Sequence, residues 1–281
     1  MESLVSTSWL AEHLGEPDLV VLDASSHLPD AKRDACAEFA AAHIPGARFL
    51  DLATLIDSDS PVPSAVPTGA QFAERMAALG VNDGDRLVIY DDSAVKTSAR
   101  AWFIARMHGV GQVAILDGGL GKWRAEGRAL ESSEPAVERG HFTPSGGPGT
   151  VRFKSDMLVN LASRREQVVD ARGRPRFSGE EADFRPNIAA GHIPGSRNLP
   201  YNLLYAHDGS FLAPKDLRRA FEHAGIDQAK PVVTTCGGGV TAAILLFALH
   251  LLGKDDVALY DGSWSEWGAD PATPKETGAA V

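Results

Sequence analysis

Short apolar runs alternate with helical patterns along both halves of this chain. In the second half, residues Gln167–Asp170 predict a short strand that ends in an aspartate. Residues 231–235, Pro-Val-Val-Thr-Thr, form a continuous β-favouring run and predict another. Residues 241–252 are apolar on nearly every face, which predicts a helix buried against a sheet. Val257–Tyr260 predicts a third strand. Strands separated by helices favour an α/β architecture, a mainly parallel central sheet flanked by helices on both faces. Such sheets bind ligands beyond the carboxyl ends of their strands. Cys236 stands at one of those ends.

The chain repeats itself. His43-Ile44-Pro45-Gly46-Ala47 returns as His192-Ile193-Pro194-Gly195-Ser196, an offset of 149 (192 − 43). Leu87-Val88-Ile89-Tyr90-Asp91 parallels Val232-Val233-Thr234-Thr235-Cys236, an offset of 145 (236 − 91). Asp117-Gly118-Gly119, followed by Trp123, returns as Asp261-Gly262-Ser263, followed by Trp267, an offset of 144 (261 − 117). Three markers in one order at nearly constant offset define two copies of one domain. The stretch 141–150, His-Phe-Thr-Pro-Ser-Gly-Gly-Pro-Gly-Thr, has the composition of a linker. The expected domains are therefore 1–140 and 151–281.

Length agrees, since 281 residues suit two domains. A hydrophobic share of 44% and a charged share of 23% are those of a soluble globular protein. No apolar run reaches the length of a membrane span, and the N-terminus lacks the pattern of a signal peptide, so a cytoplasmic protein without a membrane partner is expected. A net charge of −10 argues against a nucleic-acid partner, but a local basic pocket can still take a small anion. Two cysteines, Cys36 and Cys236, make no disulfide framework, and no Cys, His and acid spacing marks a zinc site. Neither a metal nor a cofactor is expected.

Thr235-Cys236-Gly237-Gly238-Gly239-Val240-Thr241 joins a strand to a helix. A lone cysteine is most often a small core residue. Here three glycines can curl so that backbone N–H groups point at the sulfur, and the helix N-terminus adds its partial positive charge. A thiolate is stabilised there, and so is a persulfide. Cys36 lies in a polar stretch without such a setting and reads as incidental.

On these residues the chain resembles the rhodanese superfamily, specifically the two-domain thiosulfate and 3-mercaptopyruvate sulfurtransferases. Phe39-x-x-x-His43-Ile44-Pro45-Gly46-Ala47 is similar to one family signature, and Tyr260-Asp261-Gly262-Ser263-Trp264-Ser265-Glu266-Trp267 to the other. The resemblance implies two tandem rhodanese-like domains and a Cys236 persulfide in the six-residue loop Cys236, Gly237, Gly238, Gly239, Val240 and Thr241. It implies a silent first domain, where Asp91 replaces the cysteine. Arg176 and Arg185 match the arginines that hold a substrate carboxylate, Arg176 placed before Arg185 and both before Arg172 and Arg174. Because the family builds its cleft between domains, His43 is expected to face Cys236, with Asp34 orienting it.

The loop carries no cation for the thiosulfate dianion, so 3-mercaptopyruvate is the favoured donor, with thiosulfate:cyanide transfer as the alternative. Mercaptopyruvate-preferring relatives tend to read Cys-Gly-Ser-Gly-Val-Thr, and Gly238 stands in the place of that serine. The acceptor is a thiol, cyanide or thioredoxin. A cysteine phosphatase would need an arginine after the cysteine, which is missing here. A glycine-rich phosphate loop would need a following Lys-Ser or Lys-Thr, also missing. A non-catalytic rhodanese module would usually have lost Cys236.

Overall fold

A computed structural model describes residues 1–132, 136–147 and 150–279. The chain forms two compact units, each holding a five-stranded parallel sheet with helices packed on it. Unit 1 contains β1 (Leu4–Val5), β2 (Leu19–Asp23), β3 (Arg48–Phe49), β4 (Arg86–Tyr90) and β5 (Val113–Leu116) in the order β1-β5-β4-β2-β3. Unit 2 contains β6 (Thr150–Arg152), β7 (Gln167–Asp170), β8 (Arg197–Asn198), β9 (Val232–Thr235) and β10 (Val257–Tyr260) in the order β6-β10-β9-β7-β8. The two orders are the same, so the sequence repeat is a repeat of topology. The helices of unit 1 are α1 (Thr7–His13), α2 (Ala35–Ala41), α3 (Gly69–Ala78), α4 (Ser98–Met107) and α5 (Gly119–Ala125). Those of unit 2 are α6 (Lys154–Ser163), α7 (Arg174–Ser178), α8 (Pro214–His223), α9 (Ala242–Leu251) and α10 (Ser263–Trp267).

The strands expected at Gln167–Asp170 and Val257–Tyr260 are β7 and β10, and the run 231–235 supplies β9. The all-apolar stretch 241–252 is α9, in which Ala242 through Leu249 are all buried. An amphipathic helix would show a polar stripe. This one has none, because its single polar side chain, His250, falls in its last turn and Thr241 stands just before its first residue. The C-terminal end of central strand β9 therefore runs straight into the Cys236 loop and the N-terminus of α9.

Two expectations about boundaries change. The stretch read as a linker folds back onto unit 1 over its described part. His141 O accepts from Asp83 N at 2.9 Å, Thr143 N donates to Asp83 Oδ1 at 2.7 Å, and Gly147 N donates to Met107 O at 3.0 Å. Glycine and proline composition marks a chain able to approach a surface closely as well as one that crosses a gap. Pro148 and Gly149 of that stretch lie outside the described residues. The units are also not contiguous halves. Ala206–Phe211 belongs to unit 1 and Asp59–Ala65 to unit 2. Within unit 1 the Phe211 N–H reaches Asp117 Oδ1 at 2.8 Å and Lys122 Nζ reaches Asp208 Oδ2 at 2.8 Å.

Candidate active site

Cys236 is 2% exposed and directly follows β9. Its loop is shaped by α10 beside it. Trp264 N donates to Cys236 O at 2.9 Å, and Ser265 N donates to Gly237 O at 2.8 Å. A trans peptide holds its C=O and the following N–H on opposite sides. Pinning these two carbonyls therefore turns the Gly237 and Gly238 N–H groups away from α10. Of the three glycines only Gly239 is left-handed, with φ 81°. Gly237 and Gly238 matter for the space they leave. A Cβ on Gly237 would come within 3.1 Å of Arg185 Nη2.

Ser263 fixes the loop from behind. Its hydroxyl accepts from Cys236 N at 3.3 Å and donates to Tyr260 O at 2.9 Å. The residue is fully buried and holds φ at 48°, a conformation that is unfavourable with a Cβ. Its counterpart in unit 1 is Gly119, also left-handed at φ 57°, where an added Cβ would lie 2.4 Å from Asp91 O. Unit 2 accepts that backbone with a side chain whose hydroxyl secures the cysteine.

The expected arginines take different places. Arg185 Nη1 donates to Gly237 O at 2.7 Å, so its guanidinium lies against the Cys236 loop. Asp183 holds it there, receiving Nε and Nη2 at 2.8 Å each and the Arg185 backbone N–H at 3.0 Å. Burial pushes the Asp183 carboxyl up, but these bonds outweigh it and hold the group below the usual carboxylate value. Arg176 in α7 packs its guanidinium over Phe184, 5.6 Å from the ring centroid, and Arg185 packs over the same ring at 5.1 Å. Arg172 is a buried brace. It chelates Asp170, donates to Gly191 O at 2.8 Å, and stacks on Trp264 at 4.6 Å.

His43 is corrected. Its ring is fully buried in unit 1, stacked on Phe39 at 4.0 Å, with Nδ1 bonded to Phe39 O at 2.7 Å. His192 does the same in unit 2, stacked on Phe177 at 3.8 Å and bonded to Phe177 O at 2.8 Å. A glutamate closes each clasp: Gly46 N donates to Glu131 Oε1 at 2.6 Å, and Gly195 N to Glu276 Oε2 at 2.9 Å. The two motif histidines thus make the same buried stacking and backbone contact, one in each unit. Asp34 is exposed and caps α2 by accepting from Ala37 N at 3.1 Å. It does not orient His43, which Phe39 O already holds.

These clasps also locate an insertion. Three residues, 40–42, separate Phe39 from His43, and fourteen, 178–191, separate Phe177 from His192. The longer segment carries Asp183 and Arg185, so unit 1 lacks both the cysteine and the arm that brings a guanidinium to it. Asp91 fills the cysteine's position in unit 1, 4% exposed, accepting from Ser93 N and Ser98 N at 2.9 Å each. Cys36 is exposed on α2. Among the described residues no group of His, Cys, Asp and Glu is placed to hold a metal, and no helix is long and apolar enough to cross a membrane.

Sequence reasoning missed Ser263, Ser265 and Asp183. Two of them carried a signal: Asp117-Gly118-Gly119-Leu120-Gly121 returns as Asp261-Gly262-Ser263-Trp264-Ser265, with serine replacing glycine at two of the positions that meet the cysteine loop.

The rhodanese-like domain family matches the chain twice, over residues 6–126 and 155–270. The chain is 40% identical to 3-mercaptopyruvate sulfurtransferase of Mus musculus, covering 94% of this chain and 91% of that protein. It is 38% identical to the Escherichia coli enzyme of the same name, covering 97% of each. Thiosulfate sulfurtransferase of Cricetulus griseus is 37% identical, covering 94% of this chain and 91% of that one. The solved structure of SseA from Escherichia coli superposes with a TM-score of 0.85 at 36% identity, over 95% of this chain and all of that one. The chain belongs to the rhodanese family of sulfurtransferases, with two rhodanese-like domains in tandem.

Proposed function

We propose that the protein takes sulfur from 3-mercaptopyruvate onto Cys236 as a persulfide and passes it to a thiol, cyanide or thioredoxin acceptor in the cytoplasm. The observation that carries this is Arg185 against Gly237 O at 2.7 Å, beside a cysteine loop with no cation of its own. After its bonds to Asp183 and Gly237, the guanidinium keeps N–H groups for one carboxylate. Arg176, over the same Phe184 ring, is the second cation assigned to the donor carboxylate in this reading. The named relatives that act on 3-mercaptopyruvate support the same donor.

The Cys236 thiolate attacks the donor sulfur, and loop N–H groups from Gly237 to Thr241, with the N-terminus of α9, stabilise the anion. Unit 1 supports this arrangement by analogy, since Asp91 places a carboxylate at the matching position and gathers two loop N–H groups. The catalytic domain is then 151–281, and the domain 1–140 is silent, with Asp91 in place of the cysteine. The second reading, thiosulfate as donor, is favoured by the thiosulfate sulfurtransferase among the relatives. A steady-state comparison of the two donors with cyanide and with a thiol decides. Greater kcat/KM with 3-mercaptopyruvate supports the proposal, and the reverse order assigns thiosulfate.

A further inference from the structure

We propose that Ser265 is the oxyanion donor of this site, its hydroxyl hydrogen-bonding the 2-oxo oxygen of the sulfur donor while Arg185 holds the adjacent carboxylate. The inference rests on the reading of Cys236 as the sulfur carrier and names what recognises a 2-oxo acid there. It starts from the space beside Gly238. A side chain at that position would meet Arg185 Nη1 at 3.6 Å and Ser265 Oγ at 4.0 Å. A guanidinium and a hydroxyl thus border one small volume next to the cysteine loop. A 2-oxo acid carries a carboxylate and a carbonyl on neighbouring carbons, which is the spacing two such adjacent donors serve.

The hydroxyls around the loop divide by commitment. Ser263 accepts from Cys236 N and donates to Tyr260 O, and it is fully buried. Ser265 is 6% exposed and donates its hydroxyl proton to Gly262 O at 2.8 Å, a bond it would exchange for one to the bound donor, without Ser263's second tie to the cysteine. Rotation about its C–O bond re-aims that proton without moving a heavy atom. Its backbone N–H is fixed on Gly237 O at 2.8 Å, so the residue is registered to the loop. The matching position of the silent unit is Gly121, which has no hydroxyl.

The chemistry needs such a group. The Sγ–S bond forms as the bond from donor sulfur to methylene carbon breaks, and its electron pair spreads onto the 2-oxo oxygen as an enolate. The donor's thiol proton ends on the methylene carbon, leaving pyruvate and a persulfide anion on Cys236. Charge develops on the oxo oxygen only as the bond breaks, so a hydrogen bond there strengthens toward the transition state. Thiosulfate leaves as sulfite and has no oxo carbon to serve.

The test measures kcat/KM for both donors in the full-length protein. Ser265→Ala should lower the ratio of 3-mercaptopyruvate to thiosulfate turnover by about 100-fold, the effect of removing one oxyanion donor. Ser265→Thr keeps the hydroxyl and should restore most of the ratio. An equal fall with both donors, leaving the ratio unchanged, marks a structural role and overturns the assignment. If the native protein uses 3-mercaptopyruvate and Ser265→Ala equals it, Ser265 alone is excluded and the Cys236 reading stands. If the native protein uses neither donor, that reading fails and takes Ser265 with it.

Discussion

Arg185 reaches back across the sequence to donate to Gly237 O at 2.7 Å, and the buried carboxylate of Asp183 fixes the guanidinium that does so. The pair sits in the segment 178–191, which is fourteen residues long where the matching segment of unit 1 has three. Anchors at both ends make this arm part of the site. Ser178 O accepts from Gly278 N at 2.8 Å, and Ala189 O accepts from Trp264 Nε1 at 2.9 Å.

Arg185→Ala should raise KM for 3-mercaptopyruvate more than it lowers kcat, the pattern of lost ground-state binding. A charge-assisted pair is worth about 1.5–3 kcal/mol, or roughly 10- to 150-fold. Asp183→Asn should give a smaller rise, because the arginine remains but its fork is no longer held by a charge. Steady-state kinetics of the two variants checks the order, and an Asp183→Asn effect larger than that of Arg185→Ala contradicts it.

Cys236→Ser should abolish transfer with the fold retained, and Cys36→Ser should leave the rate near native, since Cys36 is exposed on a unit 1 helix. Mass spectrometry after donor treatment should find one added sulfur, about 32 Da, on the Cys236 peptide. Its appearance on Cys36 instead would refute the nucleophile.

Asp91→Ala should destabilise unit 1 without removing activity. The carboxylate satisfies Ser93 N and Ser98 N in a buried loop, and leaving buried donors unmatched costs about 1–3 kcal/mol. Denaturant titration should show that loss, while turnover per folded molecule stays near native. Loss of turnover in the folded variant would give Asp91 a chemical role.

Asp23 should make unit 1 less stable as pH rises. It is 2% exposed, and burial raises its carboxyl above the ordinary value of 3.8 despite the Ser25 N–H and nearby Tyr90. The matching Asp170 of unit 2 has Arg172 as a buried partner, where unit 1 has Ser25. Folding thus favours protonated Asp23. That contribution is full below the unfolded value and is lost as pH climbs through the raised folded one. Asp23→Asn should be more stable than the native protein near pH 7, with less change between about pH 4 and 7. Melting curves across that range check both, and a less stable variant at neutral pH overturns the sign.

Much of this was legible along the chain. Period and repeat placed Cys236 at a strand end and Asp91 at the same point of the other copy. The positions of β7, β9, α9 and β10 follow from apolar runs whose burial depends on local composition. The roles of the histidines were not legible, because His-Ile-Pro-Gly reads the same whether its ring faces a cleft or stacks on Phe39. Arg172, Arg176 and Arg185 are likewise one residue type within fourteen positions. Only the fold separates a brace chelated to Asp170 from a cation laid on Gly237 O.

The sequence alone determined the duplicated parallel-sheet architecture, the nucleophile candidate and its absence from the first copy, since each depends on residue type and spacing within a single element. Tertiary structure decided which side chains surround the sulfur loop. Ser263, Ser265, Asp183 and Arg185 come from α10 and from the inserted arm, dozens of residues from Cys236 in one direction or the other. Chain order carries no distance information across a fold, and hydrogen bonds of about 3 Å form only once β9 and β10 have paired and brought their C-terminal loops together.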